Sequence, residues 1–177
     1  MRQKYISLCI FASALAMMTA SAGDSLYVSH VHRGGGKYER PDNTLETFKW
    51  CWENGSALEC DCRKTKDGVG VMLHDDNLLR TGWDVPVQFA RKSVSKELTW
   101  NEIKDVDVGS YIDPKFSHHR IPTIEETFAA MKGHPTYLCF VDEKGAGPEY
   151  IAKQLFLFHA VVFQIKQSSD IRKWKRV

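Results

Sequence analysis

Glu59 and Asp61 stand two residues apart in Leu58-Glu59-Cys60-Asp61-Cys62. In an extended strand that spacing turns both carboxylates to one face. Two anions so placed repel each other unless a cation lies between them or one takes a proton. Ligation through oxygen alone favours a hard ion, Ca2+ or Mg2+, over zinc. Asp142, at the end of a later apolar run, offers a third oxygen ligand. His32 in His32-Arg33-Gly34-Gly35-Gly36 and His74 in Leu73-His74-Asp75-Asp76 could act as general acid and base, because imidazole titrates near neutral pH. Arg33, with its fork of donors, and Lys144, as a point charge, suit a phosphate. Alone, the acid pair reads as a solvated strand edge and each histidine as a structural residue. Gathered at one place, a divalent cation, two histidines and fixed positive charges describe phosphoryl chemistry, in which charge develops on non-bridging oxygens.

The elements that must gather them alternate. Leu26 to Val31 reads as a strand running into the glycine loop. Asn43-Thr44-Leu45-Glu46 reads as a capping box, followed by Leu45, Phe48 and Trp52 at helical spacing and by Gly55 as a stop. Ala57 to Cys62 is the second strand and Gly70 to His74 the third. Thr99-Trp100-Asn101-Glu102 and Thr123-Ile124-Glu125-Glu126 cap two further helices. Thr136 to Asp142 is a fourth strand, Pro148 opens a helix bearing Ile151, Leu155 and Phe158, and Val161 to Ile165 is a fifth strand. Ser169 begins a last helix. Alternation of this kind predicts a parallel sheet with helical crossovers, whose ligands bind at the carboxyl ends of the strands. Every chemically suggestive residue falls at such an end. Three other histidines draw structural readings: His30 as interior one layer below His32, and His118 and His119 as surface.

Residues 1–22 read as a secretory signal peptide. Arg2 and Lys4 precede an uncharged apolar run from Ile6 to Met18, and Ala20-Ser21-Ala22 offers the small residues of a cleavage site. The run is short of the roughly 20 residues a bilayer span requires. The mature chain is therefore expected to begin near Gly23, to lie in the periplasm or outside the cell, and to keep no membrane span. A formal net charge of +2 over 177 residues gives no reason to expect a nucleic-acid partner. Cys51, Cys60, Cys62 and Cys139 remain after cleavage. Cys60 and Cys62 point away from the carboxylate face, so they read as small buried apolar groups rather than metal ligands.

Taken together, His32-Arg33-Gly34, Pro41-Asp42-Asn43-Thr44, Glu59-x-Asp61, Thr65-Lys66-Asp67-Gly68, His74-Asp75, Ile121-Pro122-Thr123-Ile124-Glu125-Glu126 and the acid-x-lysine at Asp142 and Lys144 resemble the glycerophosphodiester phosphodiesterases. They occur in that family's order over most of residues 23–177. The resemblance implies a (β/α)8 TIM barrel with its site at the C-terminal mouth, and an insertion over about 81–121. It implies hydrolysis of glycerophosphodiesters, a small-molecule substrate, to glycerol 3-phosphate and an alcohol, assisted by one divalent cation. Carried over by position, Glu59, Asp61 and Asp142 hold the metal, His32 and His74 form the acid–base pair, and Arg33 and Lys144 contact the phosphate. Two departures stand out: Asp42 and Asp142 occupy positions where the family commonly has glutamate, and a local bulge would bring Glu143 forward in place of Asp142.

Such a barrel takes about 250 residues, and about five of its eight strands can be read here. With the first and fifth strands as open edges, the expectation for the chain alone is self-association and loss of a stable active fold. Two other activities fit the same residues: a catalytically inactive phosphate- or polyol-binding module, and a related phospholipase-type phosphodiesterase on the same barrel.

Overall fold

The computed structural model describes residues 30–35, 38–134 and 136–157, and the backbone of 158 and of 161–167. The expected signal segment, the cleavage site and the helix from Ser169 lie outside the described residues. Strand β1 (His30–Val31) leads through a 3-10 turn (His32–Gly34) and a loop to helix α1 (Leu45–Glu53), then to β2 (Ala57–Lys64) and β3 (Gly70–Met72). Short helices α2 (Val87–Ala90) and α3 (Trp100–Ile103) and a 3-10 turn (Pro114–Phe116) follow. The chain continues with α4 (Ile124–Met131), β4 (Leu138–Glu143), α5 (Pro148–Phe158) and β5 (Val161–Gln167).

Four strands are parallel, in the order β1-β2-β4-β5. The β1–α1–β2 and β4–α5–β5 units are the helical crossovers that the alternating pattern predicts, and the open parallel sheet with its helices is part of an α/β barrel. The third strand departs from expectation: β3 is antiparallel to the end of β2, pairing Cys62 with Met72 and Lys64 with Gly70. The reason is the length of the connection. Five residues, closed by bonds from the Thr65 N–H to the Val69 carbonyl and from the Gly68 N–H to the Thr65 carbonyl, can only reverse the chain, whereas a parallel return needs a long crossover. Gly68 takes a left-handed φ of 86° in that turn. β2 therefore pairs directly with β4.

Alternation along β2 and β4 divides the sheet into two faces. Leu58, Cys60, Cys62, Cys139 and Val141 point toward the helices and pack on Phe48, Trp52, Ile124, Phe128 and Ile151. All four cysteines of the described residues are buried and free, in keeping with the reading of Cys60 and Cys62 as small apolar groups. Trp52 donates its indole N–H to the Leu138 carbonyl at 3.1 Å and stacks on Tyr137, fixing α1 against the start of β4. Glu59, Asp61 and Asp142 occupy the other face, and His30 stacks there on Phe140 with ring centroids 4.9 Å apart. His30 is exposed at this point.

The long segment between β3 and α4 has a core of its own, in which Leu78, Val94, Leu98, Ile103 and Ile121 bury against Val71 and Leu73. It is thereby anchored beside His74. The capping boxes at Thr99 and Thr123 form as their sequences predict, Glu102 and Glu126 each accepting from the threonine N–H at 2.8 Å. The one expected over Asn43–Glu46 does not. Thr44 is the N-cap of α1 and makes no side-chain cap bond. Among the described residues, no helix is long and apolar enough to cross a membrane.

Candidate active site

The turn after β1 sets the geometry. Arg33 sits at φ 54°, ψ 22°, a left-handed conformation uncommon for a non-glycine residue. Several bonds hold it there: its N–H donates to the Glu59 carboxylate at 2.9 Å, its carbonyl accepts from the Asn43 N–H at 3.0 Å, and its guanidinium donates to Asp42 at 2.8 Å. Gly34 follows at φ 72°, and a Cβ on it would come within 2.7 Å of the Phe48 ring. The loop 41–44 is thus pressed onto the turn. Asn43, also left-handed at φ 53°, exchanges two bonds with Asp61, donating from its amide to the carboxylate at 2.9 Å and accepting the Asp61 N–H at 3.0 Å.

One carboxylate oxygen from each of Glu59, Asp61 and Asp142 lies within 4.8 Å of the others. The parallel register that sets Asp61 opposite Asp142 brings them together. Asp61 is 1% exposed. Its Oδ1, and the Oδ1 of Asp142, are buried without any hydrogen bond. Orphaned anionic oxygens of this kind are costly unless a cation completes them. The residues therefore fit a hard divalent ion, and all three donors are oxygens. Glu143 does not come forward. It faces the other way and accepts the N–H groups of Gly145 and Gly147 at 2.6 and 2.9 Å, ahead of α5.

Lys144 donates to Asp142 at 2.8 Å and lies 3.7 Å from Asp61, so it carries positive charge into the trio. Burial, and then the neighbouring charge of Asp61, push the Glu59 carboxyl up to about 8 against the opposing bond from the Arg33 N–H. Without a divalent ion, Glu59 is protonated at neutral pH.

His32 follows β1 with Nε2 3.9 Å from the Glu59 carboxylate. Partial burial, and then the adjacent Arg33 cation, lower its pKa below the ordinary 6.5 and leave the ring neutral at pH 7. His74 lies just beyond β3, where the Leu73 N–H still bonds to the Asp61 carbonyl at 2.9 Å and Arg63 donates to the His74 carbonyl at 2.6 Å. Its Nδ1 faces the Asp75 carboxylate at 2.6 Å. Arg33 is buried between Asp42 and Asp61, its Nε 3.5 Å from Asp61.

All seven residues singled out in the sequence lie around this strand end. The carboxylate trio, Lys144, Arg33 and His32 are linked by a series of close contacts, and His74 is joined to Arg33 through Asp75, Arg80 and Asp42. Arg80 and Tyr111 drew no reading from the sequence, and Asp42 and Asn43 only that of a motif. Asn43 was read as a cap; its left-handed φ and its partner on another strand have no local signature. His119 also departs from its surface reading. It is 2% exposed, its Nδ1 is 2.8 Å from the Thr44 hydroxyl, and burial lowers its pKa so that the ring is neutral. His118 is exposed.

The model of the glycerophosphoryl diester phosphodiesterase family matches residues 32–154. A glycerophosphodiester phosphodiesterase of Caldanaerobacter subterraneus subsp. tengcongensis is 38% identical over 114 residues, covering 64% of this chain and 43% of the relative. The crystal structure of a glycerophosphodiester phosphodiesterase from Agrobacterium tumefaciens superposes with a TM-score of 0.68 at 23% identity, over 83% of this chain and 61% of that one. An Oleispira antarctica phosphodiesterase in complex with its product sn-glycerol-3-phosphate gives a TM-score of 0.66 at 21% identity, over 85% of this chain and 64% of that one. The chain spans less than half the length of the curated relatives it matches, 48% and 43% for two of them.

Proposed function

Since the chain belongs to the glycerophosphoryl diester phosphodiesterase family, we propose that its site performs metal-dependent hydrolysis of a glycerophosphodiester to glycerol 3-phosphate and an alcohol. One observation carries this reading: Glu59, Asp61 and Asp142 converge within 4.8 Å, and two of their buried oxygens lack any hydrogen bond. Those three residues would hold one Ca2+ or Mg2+. Such an ion polarises a phosphoryl oxygen and offsets the charge that develops there.

The remaining steps belong to side chains. His32, neutral at pH 7, accepts the proton of the attacking hydroxyl, either of water, which gives glycerol 3-phosphate directly, or of the substrate's own glycerol, which gives a cyclic phosphate that water then opens. His74 donates a proton to the departing alcohol oxygen as the phosphorus–oxygen bond to it breaks. Asp75 holds the His74 ring through Nδ1, which leaves Nε2 as the nitrogen that exchanges protons. Lys144, with Arg33, supplies positive charge toward the phosphate. The two neighbouring carboxyls that would repel a diester anion are thereby balanced. The export signal read in residues 1–22 supports a periplasmic or extracellular setting for this activity.

The test is hydrolysis of glycerophosphocholine followed by phosphorus NMR, in protein treated with chelator and then supplied with Ca2+ or Mg2+. Glycerol 3-phosphate appearing only with the added ion supports the reading. Binding of the diester without any release of product identifies an inactive binding module instead. Accumulation of a cyclic phosphate identifies a phospholipase-type reaction.

A further inference from the structure

A continuous string of charged groups runs from His74 to the turn that holds the carboxylate trio. Asp75 accepts from His74 Nδ1 through one oxygen, and through the other it accepts from Arg80 Nε at 2.7 Å. Arg80 also donates through Nη1 to Asp42 at 2.8 Å, and the same Asp42 oxygen accepts from Arg33 at 2.8 Å. Arg33 in turn donates its backbone N–H to Glu59. Asp42, Asn43, His74 and Arg80 line one small cavity. Arg80 belongs to the long segment between β3 and α4, as His74 and Asp75 do. That segment grips the 41–44 loop twice more, through the Tyr111 hydroxyl, which accepts the Asp42 N–H at 2.9 Å, and through His119 on Thr44.

From this geometry we infer that Arg80 is a positioning residue: by bridging Asp75 and Asp42, it fixes the ring of His74 in the Nδ1–H tautomer and locks it to the loop that orients Asp61. An ionised carboxylate only accepts, so it favours the tautomer whose N–H faces it, and it holds that tautomer and the ring orientation more firmly when it is itself anchored. Asp75 is partly exposed and hangs on the loop after β3, and Arg80 donates to the oxygen that does not face His74. A guanidinium can do this because its Nε and Nη1 donors diverge in one rigid plane. An ammonium on a lysine stem has no such fork. Asp42 serves as the far anchor, being 6% exposed and held by two arginines and the Tyr111 hydroxyl. Burial alone would raise the Asp75 carboxyl, but the bonds from His74 and Arg80 outweigh it and keep the carboxylate ionised.

Only the kinetic part of this inference rests on the diesterase reading, so the experiment has two readouts. Protein labelled with nitrogen-15 in histidine is compared as wild type, Arg80→Gln and Arg80→Lys, with the His74 ring assigned through its loss in His74→Ala. At alkaline pH, where the imidazole is neutral, wild-type His74 should show separate Nδ1–H and unprotonated Nε2 signals. In Arg80→Gln the two should move toward an average as the tautomers exchange, and in Arg80→Lys they should move the same way by less. Where wild type hydrolyses a glycerophosphodiester, kcat should fall about 10- to 100-fold in Arg80→Gln, the range of lost outer-shell partners, while KM changes less than about threefold. Unaltered tautomer signals in both variants would overturn the inference, even if kcat fell, because the loss would then be merely structural. Absence of diesterase activity in wild type would defeat the functional reading and leave the tautomer comparison to decide the positioning role. Arg80→Lys is the milder change and decides the matter if Arg80→Gln does not fold.

Discussion

Replacing Glu59 with glutamine should make the metal-free protein more stable at alkaline pH and no more stable at acid pH. Burial and the charge of Asp61 raise the Glu59 carboxyl from its ordinary 4.5 to about 8. The folded-state value lies above the unfolded one, so the native state keeps a proton that the unfolded chain has already lost. Glu59 therefore costs nothing below pH 4.5, and its penalty grows as pH rises toward 8. The slope is about 1.4 kcal/mol per pH unit, which accumulates to roughly 5 kcal/mol at the top of the window. Glutamine has the shape of the protonated acid and can still accept the Arg33 N–H, but it cannot ionise. Unfolding by denaturant, measured in chelator from about pH 5 to about pH 8, should show the two proteins close at the acid end and the variant ahead by several kcal/mol at the alkaline end. Titrating groups distant from Glu59 are common to both proteins and cancel in the difference. Excess Ca2+ or Mg2+ should restore the wild type at pH 8 and leave the variant nearly unmoved. A difference constant to within about 0.5 kcal/mol across the window would show that Glu59 titrates as an ordinary surface acid and refute the reasoning.

Three further outcomes can be checked separately. His32→Ala and His74→Ala should each lower kcat for glycerophosphodiester hydrolysis by roughly 10²- to 10⁴-fold, the range for lost general acid or base groups, whereas His118→Ala should leave it within about twofold; steady-state kinetics decide. Asn43→Ala strips the buried Asp61 of both bonds to its neighbour and should cost about 1–3 kcal/mol in denaturant unfolding, with a similar loss if the cation is then added. Protein recovered from the periplasm or medium of an expressing bacterium should begin at or near Gly23 by N-terminal sequencing, and an intact Met1 would remove the export signal.

Much of this molecule could be read from local pattern. The carboxylate pair follows from strand alternation alone, and its third member from the end of the next parallel strand, because a parallel register brings equivalent strand ends level. The capping boxes at Thr99 and Thr123 depend only on residues three apart, and both formed. The failures share a cause, which is long-range contact. Asn43 and Thr44 have the composition of a cap, but Asp61 and His119 from elsewhere in the chain offered these side chains better partners. His119 looked exposed because its neighbours are polar. The Phe116 ring and the Thr44 hydroxyl pack against it, and it is buried. The orientation of β3 was legible and went unread: Thr65-Lys66-Asp67-Gly68 is too short to be anything but a reversal. Arg80 carried no signal at all, since its significance lies in two carboxylates 5 and 38 residues away.

The most direct measurement is calorimetric titration of Ca2+ or Mg2+ into chelator-treated protein at pH 7, repeated in buffers of different ionisation enthalpy. The convergence of Glu59, Asp61 and Asp142 predicts about one cation per chain. Because Glu59 holds a proton below about 8, binding should release close to one proton, visible as a dependence of the heat on the buffer. Asp61→Asn combined with Asp142→Asn should abolish both the binding and the proton release. A cation bound as tightly by that double variant, or no binding by the wild type at millimolar concentrations, would contradict the assignment of these three carboxylates as the metal site.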